Sequence, residues 1–149
     1  MRLTDGVRAF IEQQRVARLA TVDASARPHV VPICFALDEN TLYTPIDEKP
    51  KAADYQRLRR LRNIAANQHV QVVFDTYDDR DWSRLSYAQI RGTARILASG
   101  GEYARAVELL RARYTQYRSM SLERRPVIAI DIDRVVVWRG APPDPSSSV

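Results

Sequence analysis

The apolar runs in the first third of this chain are joined by connections only a few residues long. VARLATV (16–22) is followed by DASARP, then HVVPICFAL (29–37), then DEN (38–40) and TLYTP (41–45). Parallel pairing needs a crossover of a dozen or more residues, whereas antiparallel neighbours need only a turn. Strands so joined are expected to form an antiparallel meander. Pro32 lies inside the second run and has no N–H to give a ladder, so that strand is expected at a sheet edge or a bulge.

Further on, the period changes and changes back. DGVRAFIEQQR (5–15) reads as a short opening helix. In residues 46–68, Leu58, Leu61 and Ile64 or Ala65 recur at spacings of three and four, which predicts a helix with Pro50 in its first turn and Asn67 at its end. The arginines of that helix are expected on the flank opposite the leucines. HVQVVFDTY (69–77) and SYAQIRGTARIL (86–97) read as strands, and Gly92 in the second marks a bulge or close approach. Residues 99–117 form the clearest helix, with Tyr103, Val107, Leu110, Tyr114 and Tyr117 on one stripe. VIAIDI (127–132) and VVVW (135–138) read as two strands around an Asp-Arg turn. No βαβ alternation occurs, so the fold class is mainly β (α+β): an antiparallel barrel of six to seven strands whose openings are plugged by helices. Residues 1–140 are expected to be one domain, and the Pro/Ser-rich tail 141–149 to be disordered.

Composition excludes several classes. With 149 residues, of which 45% are hydrophobic, the chain has enough apolar material for one core. A single Cys34 rules out an internal disulfide and favours a cytoplasmic address. No apolar run approaches a membrane span, and the N-terminus lacks the apolar stretch of a signal peptide. His29 and His69 have no metal-ligand spacing around them, so no metal site is expected. The basic residues carry no nucleic-acid-binding signature. G-x-S-x-G, Walker A and G-x-G-x-x-G patterns are all absent.

Of the 23 basic residues only two are lysines, Lys49 and Lys51, separated by one proline. They stand between the strand 41–45 and the helix that carries Arg57, Arg59, Arg60 and Arg62. A helix start offers unpaired N–H groups and the positive end of a dipole, and two ammonium groups beside it suit a phosphate. A solvated basic helix face is the plainer alternative. Trp82, Tyr87 and Trp138 are the aromatics best placed to meet a flat heteroaromatic ligand, although each could equally serve a core. No side chain set for catalysis is evident, so any redox chemistry would come from a cofactor.

VARLATV, RPHVVPICFAL, LYTPIDEKPK and LRNIAANQHVQVVFD, in this order, resemble the pyridoxamine-phosphate-oxidase-like split β-barrel flavoproteins. DEKPK, LRRLRNI, YDDRDW and RGTARI are similar to a coenzyme F420-dependent, actinobacterial branch of that superfamily. The resemblance spans about residues 5–140. It implies a homodimer with each cofactor site at the interface between chains, and a small-molecule acceptor. It places the cofactor phosphate on Lys49, Lys51 and Arg57, with Arg59, Arg62 and Asn63 near by, and the ring over Pro32 and Tyr43, Thr44 and Pro45. Tyr87 and Trp138, with Gln89 and Arg91 as further candidates, are the residues a second chain would supply. The implied cofactor is F420, with FMN or haem as alternatives, and the implied reaction is hydride transfer; a non-enzymatic cofactor carrier is the other reading. Two departures stand out. The C-terminal Arg…His ending of true pyridoxamine-phosphate oxidases is missing, and residues 86–87 are Ser86 and Tyr87 where bulky aromatics are usual.

Overall fold

The structure, a computed structural model, describes residues 2–47 and 58–140. The element order is α1 (Asp5–Gln13), β1 (Ala17–Val22), β2 (Pro28–Ile33), β3 (Ala36–Asp38), β4 (Thr41–Pro45), α2 (Arg59–Ala66), β5 (His69–Thr76), β6 (Ser86–Leu97), α3 (Gly101–Arg113) and β7 (Val127–Arg139). The seven strands form one antiparallel sheet in the order β2-β1-β5-β6-β7-β4-β3, curled into a split half-barrel.

Strand alternation builds the barrel interior. Leu19 of β1, Val70, Val72 and Phe74 of β5, Ala88, Ile90 and Ala94 of β6, and Ile128 and Ile130 of β7 all point into it and are almost fully buried. Phe35 and Phe74 meet edge to face there, with ring centroids 4.9 Å apart. α1 begins where the Thr4 hydroxyl accepts from the Val7 N–H, and it buries Ile11 in the same core. A second core lies on the other face of β4 and β7, where Tyr103, Ala106, Val107 and Leu110 of α3 pack on Tyr43, Val127 and Ala129. An ion-pair cluster closes its rim. Arg95 donates to both carboxylate oxygens of Asp131 and to both of Glu102, at 2.6–2.9 Å, which ties α3 to β6 and β7.

Several sequence expectations are corrected. The run 29–37 is not one strand. It breaks at Cys34 and Phe35, so β2 and β3 occupy opposite edges of the sheet, and the expected meander of three strands is instead two separated hairpin pairs. Pro32 does sit on an edge strand, paired with Arg18. The expected turn at Asp133 and Arg134 is absent, because β7 runs unbroken against the twelve residues of β6. The register shift falls between Arg91 and Gly92, at the glycine flagged as a bulge. A Cβ at Gly92 would drive into the Ile130 side chain and lie 2.9 Å from the Asp131 carbonyl oxygen. The third helix is α-helical only to Arg113, and Tyr117 belongs to a 3-10 turn beyond it. Of the helix expected over 46–68, Arg59–Ala66 is helical and ends at Asn67 as read; Pro50 and the tail 141–149 lie outside the described residues.

Candidate functional site

The break between β2 and β3 carries the chain from one edge of the sheet towards the other, and a cavity opens beside it. Its volume is about 220 Å³, and Pro32, Cys34, Thr44, Pro45, Asp47 and Arg60 are among its walls. Three residues named from the sequence, Pro32, Thr44 and Pro45, are therefore brought together by two strands that do not pair with each other. Pro32 leaves a stretch of edge backbone without a donor, while Thr44 is only 2% exposed.

Tyr43 does not join them. Alternation along β4 turns it to the α3 side, where its hydroxyl donates to Glu102 Oε1 at 3.0 Å. Burial first, and then the Glu102 carboxylate, push its phenol up to about 12. The side chain is thereby a neutral structural donor across the physiological range.

α2 supplies the charge. Its buried face is broader than the leucine spacing suggests, for it includes Arg60 and Asn63 beside Leu61 and Ile64. Arg60 is 6% exposed and lines the cavity, which corrects the expectation that all the arginines occupy the outer flank. Arg59 and Arg62 are exposed. Asn63 is 4% exposed and donates from Nδ2 to Thr21 Oγ1 at 2.9 Å, so it pins α2 to β1. Sequence reasoning named Arg60 only with the arginines of the outer flank, although it stands four residues before the buried Ile64, and this spacing was the available signal for its inward face. It also passed over Cys34 and Asp47. Lys49, Lys51 and Arg57 lie outside the described residues.

Tyr87 and Trp138 form a directly opposed cross-strand pair, with rings stacked at 5.8 Å and 17°. They are 38% and 45% exposed, on the outward face of the sheet rather than at the cavity. Gln89 and Arg91 share that face, as do Val30 at 60% and Val136 at 40% exposure. Trp82 stands on the β5–β6 connection, 69% exposed. Among the described residues, no three His, Cys, Asp or Glu side chains gather where a metal could be held, and no helix is long and apolar enough to cross a membrane.

Comparison with known proteins agrees with this architecture. A 5a,11a-dehydrotetracycline/5a,11a-dehydrooxytetracycline reductase of Streptomyces rimosus is 36% identical over 96 residues, which cover 64% of this chain and 65% of that protein. This chain thus aligns with just under two thirds of the length of that relative. A conserved hypothetical protein of Mycobacterium tuberculosis superposes with a TM-score of 0.76 at 16% identity, over 93% of this chain and 86% of that one. An FAD-binding protein of Mesorhizobium loti superposes with a TM-score of 0.66 at 19% identity, over 92% of this chain and 95% of that one. These two likenesses concern the fold. The sequence itself matches the pyridoxamine 5'-phosphate oxidase family from residue 3 to residue 139, and to that family, in its split-barrel form, this chain belongs.

Proposed function

We propose that the chain is an oxidoreductase that binds coenzyme F420 against the cavity at the β2–β3 break, and that it reduces an electron-poor conjugated acceptor. The observation that carries this reading is the placement of Arg59, Arg60 and Arg62. All three lie in the first turn of α2, whose N-cap Leu58 gives no side-chain hydrogen bond and whose first turn has no acidic residue. Cations at the positive end of a helix are electrostatically unfavourable unless an anion sits among them. Arg60 is turned inward to the cavity, where its planar fork matches a phosphate.

The donor set fits a phosphorylated flavin-type cofactor. Arg60 would hold the phosphate, with Lys49, Lys51 and Arg57 as further cations in the same reading. Pro32, Thr44 and Pro45 would meet the ring. Arg59 and Arg62, exposed on the outer side of the same turn, suit a longer anionic tail, which F420 has and FMN lacks. When bound, the reduced deazaflavin supplies a hydride to the acceptor carbon. The work of the chain is to orient the acceptor, to keep water from the transfer and to stabilise the negative charge that grows on the acceptor oxygen.

The reductase from Streptomyces rimosus supports an acceptor with a polarised carbon–carbon double bond. A second copy of the chain is part of this reading. The outward face carries Tyr87, Val136 and Trp138 exposed on the adjoining strands β6 and β7, with Val30 exposed on β2 farther along the same face, and apolar residues grouped on one face mark an association surface. Tyr87 and Trp138 would then reach the cofactor of the other copy. Fluorescence titration with F420 and with FMN, at low and high salt, tests the proposal. Tight, salt-sensitive binding of F420 alone supports it, and a preference for FMN overturns the choice of cofactor.

A further inference from the structure

A second cavity, of about 470 Å³, backs onto the first across Cys34 and Asp47, which line both. Its other walls include Tyr114, Tyr117, Gln116 and Met120 from the end of α3 and the turn after it, with Arg15 at the rim. Its size is that of an ordinary small-molecule site. Two rings furnish an apolar body: Tyr114 and Tyr117 meet edge to face at 5.4 Å and 63°. The Arg15 guanidinium lies 4.7 Å from the centre of the Tyr114 ring.

The Asp47 carboxylate is the anionic acceptor of this cavity. The Tyr114 hydroxyl is fully engaged, receiving the Phe35 N–H at 3.0 Å and the Arg113 Nε–H at 3.2 Å and donating to the Arg15 carbonyl at 2.9 Å. The Tyr117 hydroxyl donates to Asp47 Oδ2 at 2.7 Å, while Arg125 donates to the Asp47 carbonyl oxygen at 3.1 Å. Burial, together with the neighbouring Asp47 and Cys34, holds the Tyr117 phenol far above its ordinary range, so it stays protonated with its proton turned to Asp47. A carboxylate takes several hydrogen bonds, and Tyr117 supplies one of them. Among the described residues, what remains is the Asp47 carboxylate, in a slot walled by two aromatic rings.

We infer that this second cavity is the acceptor site, and that Asp47 selects flat, neutral acceptors carrying a hydroxyl group that donates to its carboxylate. The inference rests on the cofactor lying in the adjoining smaller cavity. Tyr117 shares that carboxylate with the acceptor and competes with it as a donor.

The chain has two methionines, Met1 and Met120, so ¹³C-methyl labelling leaves one reporter in this cavity. The cofactor-free protein is titrated with 4-hydroxychalcone, a flat conjugated enone whose hydroxyl is free to donate, and with its methyl ether. The hydroxylated probe is expected to shift the Met120 resonance saturably and to bind roughly tenfold more tightly than the ether, the size of one hydrogen bond to a charged group. Asp47→Asn should erase that preference. Tyr117→Phe, which removes the competing donor, should keep or enlarge it, a pattern that mere loosening of the fold does not produce. An unmoved Met120 resonance, equal affinities for the two probes, or a preference intact in Asp47→Asn overturns the inference. F420 binding, measured separately by its fluorescence, tells failure of the cofactor reading from failure of this one.

Discussion

Tyr43 and Thr44 are neighbours in sequence and face opposite sides of β4. The first donates to Glu102 beneath α3, and the second lines the cavity at the β2–β3 break. The consequence is that one residue of the pair belongs to stability and the other to the site. Tyr43→Phe should leave cofactor affinity within twofold, while costing roughly 0.5–1.5 kcal/mol of stability, the net worth of one hydrogen bond. Urea denaturation set beside a binding titration separates the two effects.

The Glu102–Arg95–Asp131 cluster should make stability fall in acid. Hydrogen bonds from Arg95 hold the Glu102 carboxyl near 2 and lower that of Asp131. A group with a depressed folded value contributes stability above its unfolded value, near 4.5 for Glu102, and loses it as the pH falls towards 2. The side chains are 37–44% exposed, so solvent screens much of the attraction. Arg95→Met is expected to cost about 1 kcal/mol at pH 7 and almost nothing at pH 2. Thermal melts across that range give the comparison.

Gly92 should tolerate no side chain. The Cβ of Gly92→Ala would press on Ile130 and the Asp131 carbonyl at the β6–β7 bulge. Overpacking of this kind costs roughly 1–3 kcal/mol. A melting temperature unchanged from the parent would mean that the two strands separate there at little cost.

Arg60 and Arg59 should differ as cofactor ligands. Arg60→Met keeps the apolar stem and removes the inward charge, and is expected to weaken both F420 and FMN by tenfold or more, the scale of a charge-assisted hydrogen bond. The double change Arg59→Ala and Arg62→Ala should weaken F420 more than FMN. Equal losses for the two cofactors would remove the argument from the longer anionic tail.

Charge on the outward face should keep two copies apart. Val136→Glu places a carboxylate beside Tyr87 and Trp138 without touching the barrel core. Light scattering after gel filtration is expected to show a dimer for the parent chain and a monomer for the variant. A monomeric parent would count against the two-chain site.

Much of this molecule is written in local periodicity. The alternation in ARLATV, the unbroken run SYAQIRGTARIL and the stripe Tyr103, Val107, Leu110 declare strands and helix, because a side chain's direction repeats every two or 3.6 residues whatever lies around it. Pro32 at an edge and Gly92 at a bulge were legible for the same reason, since each removes one defined thing, an N–H or a Cβ. What periodicity could not decide was which strands lie side by side. The break at Cys34 and Phe35 sends β3 to the far edge, and β7 continues through the apparent Asp-Arg turn, with Asp133 bulged out of register, because β6 pairs with it on both sides of that residue. The site depended on those decisions. Pro32 meets Thr44 and Pro45 only because the sheet curls, and Arg60 faces inward, unlike Arg59 and Arg62, because the buried face of α2 includes it. Spacing along a chain assigns each residue a face of its own element; only the packing of one element on another decides what that face will meet.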